Sequence, residues 1–391
     1  MHRTTLSPDD CAALVDELRE TRNPNVWVYR YRHPTEPWVL AIATHAEPQS
    51  GKLSLGGFRI APLGRVITPG FSAEREAIAL AIGMEEKVHW SRVIGVGGPL
   101  AIRDLTRVVG GKCVLVPTDD ARVGNPRDIG LLTWAAECLN DCETHAGVHI
   151  TTGQDLGHGV LSDGQGSLEF LNARFAGSVV ADTSVPTGEG NYQILKGMLR
   201  ACAVPLERAT IGLIGCGNIG MHIIERLREH RGVRILACEA REQRRAELEA
   251  MGIPTWGPED KADFLALGMD ALVVNANGGT LDAAAIAACR ANSALRVICG
   301  SENLVMADHV AGTAALRDAH KVYAPTELGG MMGYLTAVEE YLATLEGQRF
   351  DVQTVLDAAD RLETAGYEAT GRIIAGGHRE TFEEAITALY A

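Results

Sequence analysis

The sequence predicts an α/β protein of two domains: an N-terminal mixed-sheet α/β domain, and a doubly wound parallel-sheet domain whose chain ends in returning C-terminal helices. Three observations lead there. The chain has 391 residues, more than one hydrophobic core ordinarily organises. Its second half alternates short aliphatic runs with amphipathic helical periods, the pattern of successive βαβ units. Its first half opens instead on strand-like runs close enough in sequence to pair antiparallel.

Taken in order, Ser7-Pro8-Asp9-Asp10 caps a first helix that Asn23-Pro24 stops. Val26 to Tyr31 and Trp38 to Ala43 are strand runs, and Leu53 to Ile60 is a third, interrupted by Gly56-Gly57. Ser72 to about Lys87 carries helical spacing (Ile78, Ala81, Ile82), and Val93 to Gly98 reads as a short strand. Strand Lys112 to Val116, helix Gly130 to Cys142 and strand Val148 to Thr152 complete a first domain over 1–185, with Ser184 to Gly190 as the connection out of it. The second domain, 186–333, carries strands at Thr210–Ile214, Arg234–Cys238, Ala271–Asn275, Arg296–Cys299 and Val322–Ala324. Beyond the flexible junction expected at Gly329-Gly330, helical patterns at Tyr334–Leu345, Val352–Thr364 and Glu380–Leu389 make residues 334–391 a segment that packs back towards the first domain.

Composition narrows the function. With 46% hydrophobic and 22% charged residues the chain is globular, not disordered. A net charge of −14 argues against nucleic acid or an anionic membrane as partner, because both would be repelled at long range. There is no apolar run of about 18 residues and no secretory leader pattern, so a cytoplasmic protein acting on small molecules is expected. The nine cysteines are scattered, several within apolar runs, and read as reduced core thiols. Cys138, Cys142 and His145 share a helical face but lack a fourth ligand, so no metal is assigned.

The sharpest motif is Gly215-Cys216-Gly217-Asn218-Ile219-Gly220, which follows the strand Thr210–Ile214 and opens a helix. Gly215 permits the tight turn, Gly217 the approach of a pyrophosphate, and Gly220 close helix–strand packing. Asn218 and Ile219 start the helix whose N-terminus attracts phosphate. Glu239 ends the next strand, 19 residues after Gly220, where a carboxylate accepts the adenosine ribose hydroxyls. This is a Rossmann dinucleotide site. Glu239 favours NAD, while Arg241, Arg244 and Arg245 leave NADP open, since they can clamp a 2′-phosphate or simply form a solvated helix face. Asn275, Ala276, Asn277, Ser301 and Asn303 follow later strands of the same sheet, at the ends that face the cofactor.

In the first half, Leu55-Gly56-Gly57-Phe58-Arg59, Gly83-Met84-Glu85-Glu86-Lys87, Gly110-Gly111-Lys112 and Gln154-Asp155-Leu156-Gly157 occur in that order. With the dinucleotide motif behind them, they make the chain resemble the glutamate/leucine/phenylalanine/valine dehydrogenase family over about residues 25–365, with leucine dehydrogenase closest in layout. The resemblance implies an NAD(P)-dependent enzyme that exchanges a hydride with an α-amino acid or imine, and a homo-oligomer. It implies that Lys87 holds the substrate carboxylate, that Lys112 is the catalytic lysine and that Asp155 is the catalytic aspartate. The residue types suit that chemistry: a carboxylate needs a fixed cation, and iminium hydrolysis needs a base poised near the working pH, which burial and a neighbouring lysine supply. Leu55, ahead of the Gly56-Gly57 pair, stands where glutamate-specific members carry a lysine, so an uncharged side chain is expected. Taken singly, each lysine would read as a solvated loop residue and Leu55 as strand packing.

The chain departs from the family pattern at three places. An extra segment lies between Lys87 and Lys112, and an ungapped match puts Pro99 at the lysine position instead. The segment expected to hold the substrate amine is Thr326-Glu327-Leu328-Gly329-Gly330, without its Asn, and Gly190 to Ile194 replaces the usual lead-in to the Rossmann domain. Two further readings stand beside dehydrogenation: an NAD-dependent lyase or cyclodeaminase with no net redox change, and a nucleotide-binding homologue without catalysis.

Overall fold

The computed structural model describes residues 2–153 and 159–391. Its contacts form two compact units: Met1–His89 with Gly98–Thr183 and Tyr334–Asp351, and Trp90–Gly97 with Ser184–Gly333 and Val352–Ala391. The closing segment is therefore shared, since residues 334–351 cluster with the first unit and 352–391 with the second.

The first unit contains β1 (His2–Leu6), α1 (Pro8–Leu14), β2 (Trp27–Arg32), β3 (Val39–Thr44), β4 (Leu53–Leu55), β5 (Phe58–Ile60), α2 (Leu63–Val66) and most of α3 (Ala73–Ile94). It continues with α4 (Pro99–Asp104), β6 (Val108–Val116), α5 (Asp128–Ala146), β7 (His149–Thr151) and α6 (Ser167–Asn172). Its sheet runs β1-β2-β3-β6-β4-β7, with β5 also on β6. The first three pairings are antiparallel, and β4, β5 and β7 run parallel, the mixed sheet expected. Residues alternate across β6. Val109, Cys113 and Leu115 enter a core with Tyr31, Leu40 and Ile42 of the sheet and Leu131, Leu132, Leu139 and Cys142 of α5. Gly110 and Lys112 face the other way.

Ser7 starts α1 with a capping box, its hydroxyl accepting the Asp10 amide while the Asp10 carboxylate accepts the Ser7 amide. The strand expected at Val93–Gly98 is instead the end of α3 and the loop after it. Gly95, at φ +71°, stops the helix, and the Gly95 and Val96 amides both donate to the Ser91 carbonyl. A short apolar run at a buried helix end carries the same signal as a strand.

The second unit contains α7 (Ser184–Ala201), β8 (Thr210–Ile214), α8 (Asn218–Arg228), β9 (Arg234–Cys238), α9 (Glu242–Ala250), β10 (Thr255–Trp256), α10 (Lys261–Ala266) and β11 (Ala271–Val274). After these come α11 (Ala283–Ala291), β12 (Val297–Gly300), α12 (His309–Asp318), β13 (Val322–Tyr323), the first part of α13 (Thr326–Leu345), α14 (Val352–Ala358), α15 (Asp360–Ala375) and α16 (Phe382–Tyr390). The sheet is parallel throughout and ordered β10-β9-β8-β11-β12-β13. That is the doubly wound order, with the reversal of winding between β8 and β11.

Two expected connectors are helices. Ser184 to Gly190 is the first part of α7 and is buried apart from the exposed Val185. Its glycines meet neighbours rather than break the helix: a Cβ on Gly190 would stand 2.5 Å from Met332 Cγ, and one on Gly188 2.8 Å from His222 Cδ2. Gly329-Gly330 lies inside α13 and is not a flexible junction, and a Cβ on Gly329 would stand 1.8 Å from the Gly300 carbonyl oxygen.

Candidate functional site

In the first unit, Leu55, Lys87 and Lys112 are 1%, 6% and 4% exposed, so neither lysine is a solvated loop residue. Lys112 is an interior residue of β6, which begins at Val108, before the two glycines. Leu55 lies opposite Gly110 and Phe58 opposite Cys113, a continuous register that sets Gly56-Gly57 beside Gly111-Lys112. Leu55, Gly110 and Lys112 share one face of the sheet by the same alternation. Helix α3, which carries Lys87, packs on that face because Gly110 has no side chain; a Cβ there would stand 2.3 Å from Glu85 N and 2.8 Å from the Ala81 carbonyl oxygen. Gly56 is required in the same way, since its Cβ would fall 1.7 Å from the Gly111 carbonyl oxygen.

Pro99 opens α4, where a proline is well suited because the first helical N–H has no partner in any case. The Glu339 carboxylate then accepts the Leu100 and Ala101 amides at 3.1 and 2.7 Å. Pro99 thus belongs to a helix start capped by a distant acid, while Lys112 stands in the sheet. Asp155 lies outside the described residues.

Sequence reasoning assigned no site role to Glu85, Asn23 or His45. The Glu85 carboxylate, 8% exposed, accepts the Gly110 amide at 2.6 Å through Oε2 and the Asn23 side-chain amide at 3.2 Å through Oε1. The His45 amide donates to the Gly110 carbonyl at 2.9 Å. Burial pushes the His45 imidazole below its ordinary pKa, with the Glu85 charge acting in the opposite sense. The available signal was an acid on the apolar stripe of α3, at the spacing of Ile78 and Ala81.

In the second unit, Gly215 adopts φ +84° and approaches the Asn275–Ala276 peptide so closely that a Cβ would stand 2.7 Å from Asn275. A Cβ on Gly220 would stand 2.4 Å from the Gly215 carbonyl oxygen. Gly217 is the N-cap of α8 without a side-chain cap, and the nearest atom to its would-be Cβ is Arg241 Nη2 at 3.9 Å. The exposed Asn218 and half-buried Ile219 form the first turn. Uncapped amides at a helix N-terminus beside open space fit a dinucleotide pyrophosphate.

Glu239 is 5% exposed. Its Oε2 accepts the Cys216 amide at 2.7 Å, and its Oε1 accepts Arg241 N and Nε at 2.9 and 3.1 Å. Burial works to raise the Glu239 carboxyl, but these bonds and the guanidinium outweigh it and hold the group below its ordinary value. Of the three arginines, Arg241 lies on Glu239, Arg244 pairs with Glu247, and Arg245 donates to the carbonyls of Glu239 and Ala240.

The loops after β11 and β12 are fastened together. Asn275 Oδ1 accepts the Ser301 amide at 3.0 Å and hydroxyl at 2.8 Å. Glu302, 2% exposed and not singled out from sequence, accepts the amides of Ala276, Gly278 and Thr280. Burial pushes its carboxyl above the ordinary value in spite of those donors. Asn277 is exposed and Asn303 half-buried on the same loops. Asn191, fully buried in α7, donates to the carbonyls of Thr187 and Gly329, which ties α7 to the start of α13.

No protein-family model matches the chain, and no curated protein matches it. Solved structures do. The structure of L-tryptophan dehydrogenase from Nostoc punctiforme is 18% identical with a TM-score of 0.63, over 96% of this chain and 97% of that one. Hetero-hexameric glutamate dehydrogenase from Thermus thermophilus, in a leucine-bound form, is 15% identical with a TM-score of 0.64, over 100% and 87%. Glutamate dehydrogenase from Plasmodium falciparum is 11% identical with a TM-score of 0.62, over 98% and 84%. The fold is that of the amino acid dehydrogenases.

Proposed function

We propose that the chain is an NAD(P)-dependent oxidoreductase acting on an α-amino acid, or the corresponding imine, with an uncharged side chain. The observation that carries this reading is the burial of two lysines in a domain that also presents Leu55 on the face of Lys112, beneath the helix of Lys87. A buried lysine is held in place by its packing and has its proton affinity tuned by desolvation, which suits one lysine to holding a carboxylate and another to moving a proton at an amine. In this reading the Lys87 ammonium fixes the substrate carboxylate, while Lys112 takes and returns protons at the amine and at the attacking water, with Asp155 as relay. Leu55 lines the side-chain pocket and disfavours a carboxylate there.

Bound at Gly215–Gly220, the nicotinamide cofactor supplies the hydride acceptor or donor. Glu239 holds the adenosine ribose and favours NAD, with NADP reachable through Arg241. Asn275, Ala276, Asn277, Ser301 and Asn303 line the nicotinamide end. A homo-oligomer is part of the proposal. Among the described residues, no helix is long and apolar enough to cross a membrane.

The test is a screen of amino acids with NAD⁺ or NADP⁺, and of 2-oxo acids with ammonia and the reduced cofactors, followed by absorbance. Turnover of apolar amino acids with NAD⁺ is expected. Substrate consumption without net NADH would point to the lyase chemistry, and tight nucleotide binding with no turnover to a non-catalytic homologue.

A further inference from the structure

We propose that Glu85 is a positioning residue that sets the strand of Lys112 against the helix of Lys87, an inference that rests on the roles given to those lysines above. Lys87 lies two residues beyond Glu85 on α3, and Lys112 two residues beyond Gly110 on β6. The bond from the Gly110 amide to Glu85 Oε2, at 2.6 Å, joins the two elements two residues along the chain from each lysine.

Strand β3 ends at Thr44, opposite Gly111, and one residue earlier on β6 the Gly110 amide is taken by the carboxylate in place of a carbonyl of a neighbouring strand. The missing Cβ at Gly110 lets the α3 backbone approach to where that bond can form. Asn23 holds the second oxygen, which fixes the carboxylate rotamer. An apolar residue at position 85 would fill the same volume without desolvating a charge. What the carboxylate adds is a short, directional, charge-assisted bond to one backbone amide, and therefore a defined placement of Lys112 along α3. A displacement of about 1 Å in such a constellation costs on the order of 10²-fold in rate.

The experiment compares wild type, Glu85→Gln, Glu85→Ala and Leu132→Ala, the last a core truncation in α5 of the same unit. Turnover, KM for the amino acid, nucleotide affinity, thermal stability and hydrogen exchange of the segment Val108–Val116 are measured for each. Glu85→Ala is expected to lower kcat by roughly 10- to 100-fold with nucleotide affinity unchanged, and Glu85→Gln, which keeps an acceptor, to restore most of it. Leu132→Ala is expected to lose stability with little change in kcat per folded molecule. Equal kinetics in Glu85→Ala and Leu132→Ala would overturn the proposal, as would a failure of Gln to rescue.

Should Glu85→Ala not fold, Asn23→Ala releases only one carboxylate oxygen and is expected to lower kcat severalfold; an unchanged kcat there would overturn the proposal. Hydrogen exchange separates this inference from the dehydrogenase reading. Absence of any wild-type turnover refutes that reading, whereas protection of Val108–Val116 that is kept in Glu85→Gln and lost in Glu85→Ala supports the tie, and equal protection in both overturns it.

Discussion

Replacing Glu239 by Ala removes three acceptor contacts at once: the 2.7 Å bond from the Cys216 amide and the 2.9 and 3.1 Å bonds from Arg241 N and Nε. It also removes the oxygens proposed to hold the ribose hydroxyls. A hydrogen bond to a charged acceptor contributes about 1.5–3 kcal/mol, so loss of one ribose contact weakens NAD by roughly 10- to 100-fold. For NADP the balance differs. The variant no longer sets a carboxylate against the 2′-phosphate, and Arg241, whose side chain is 58% exposed, is released beside the Gly217 turn. NADP is therefore expected to weaken little or to tighten. The Arg241 ion pair itself adds little to stability because it is solvated, but the orphaned Cys216 amide costs about 1–3 kcal/mol of folding free energy. Glu239→Gln, which keeps an acceptor, separates that structural loss from the loss of charge. Calorimetric titration of both variants with NAD⁺ and NADP⁺ measures the two affinities directly. Equal weakening of both nucleotides, or a greater loss of NADP, would refute the assignment of Glu239.

Gly110→Ala would place a Cβ 2.3 Å from Glu85 N, against 3.4 Å for an ordinary contact, so α3 and β6 must part by about 1 Å. A stability loss of about 1–3 kcal/mol is expected from denaturant unfolding, with turnover lowered and nucleotide affinity unchanged. Gly64→Ala, which meets nothing within 4 Å, is the silent control. Glu302→Gln puts an amide nitrogen against backbone N–H donors and should loosen the loop after β11, read as weaker nucleotide binding. Because burial raises the Glu302 carboxyl above its ordinary value of 4.5, the folded state holds that proton more tightly than the unfolded one. Its contribution is complete below that value and is lost as pH rises through the folded value. The stability difference between wild type and Glu302→Gln should therefore shift against wild type as pH rises above 4.5, and a difference independent of pH would contradict the sign.

The Rossmann half was legible because its signals are local: β8, β9 and β11 fall within a residue of their sequence bounds, and Gly215, Gly217 and Gly220 announce their turn by spacing alone. Helix starts rich in glycine or proline misled. Pro186, Gly188 and Gly190 in α7, and Gly329 and Gly330 in α13, look like breakers to a local reading, yet Gly188, Gly190 and Gly329 are where a side chain of another element or the end of β12 comes too close for a Cβ. Hidden most completely were the carboxylates that bind distant backbone amides: Glu85 on Gly110, Glu302 on the loop after β11, and Glu339 on α4, 238 residues from Ala101. No sequence period records such a pairing. At Lys87 and Lys112 the residues were visible, but their burial was not, because it depends on which face of β6 meets α3.

The most direct measurement is the turnover of Lys112→Ala with the best amino acid of the screen and saturating NAD⁺. The account predicts a fall of roughly two to four orders of magnitude, the scale of losing a general base, with nucleotide affinity unchanged. Near-normal turnover in that variant would contradict it, and would remove Lys112 from the chemistry.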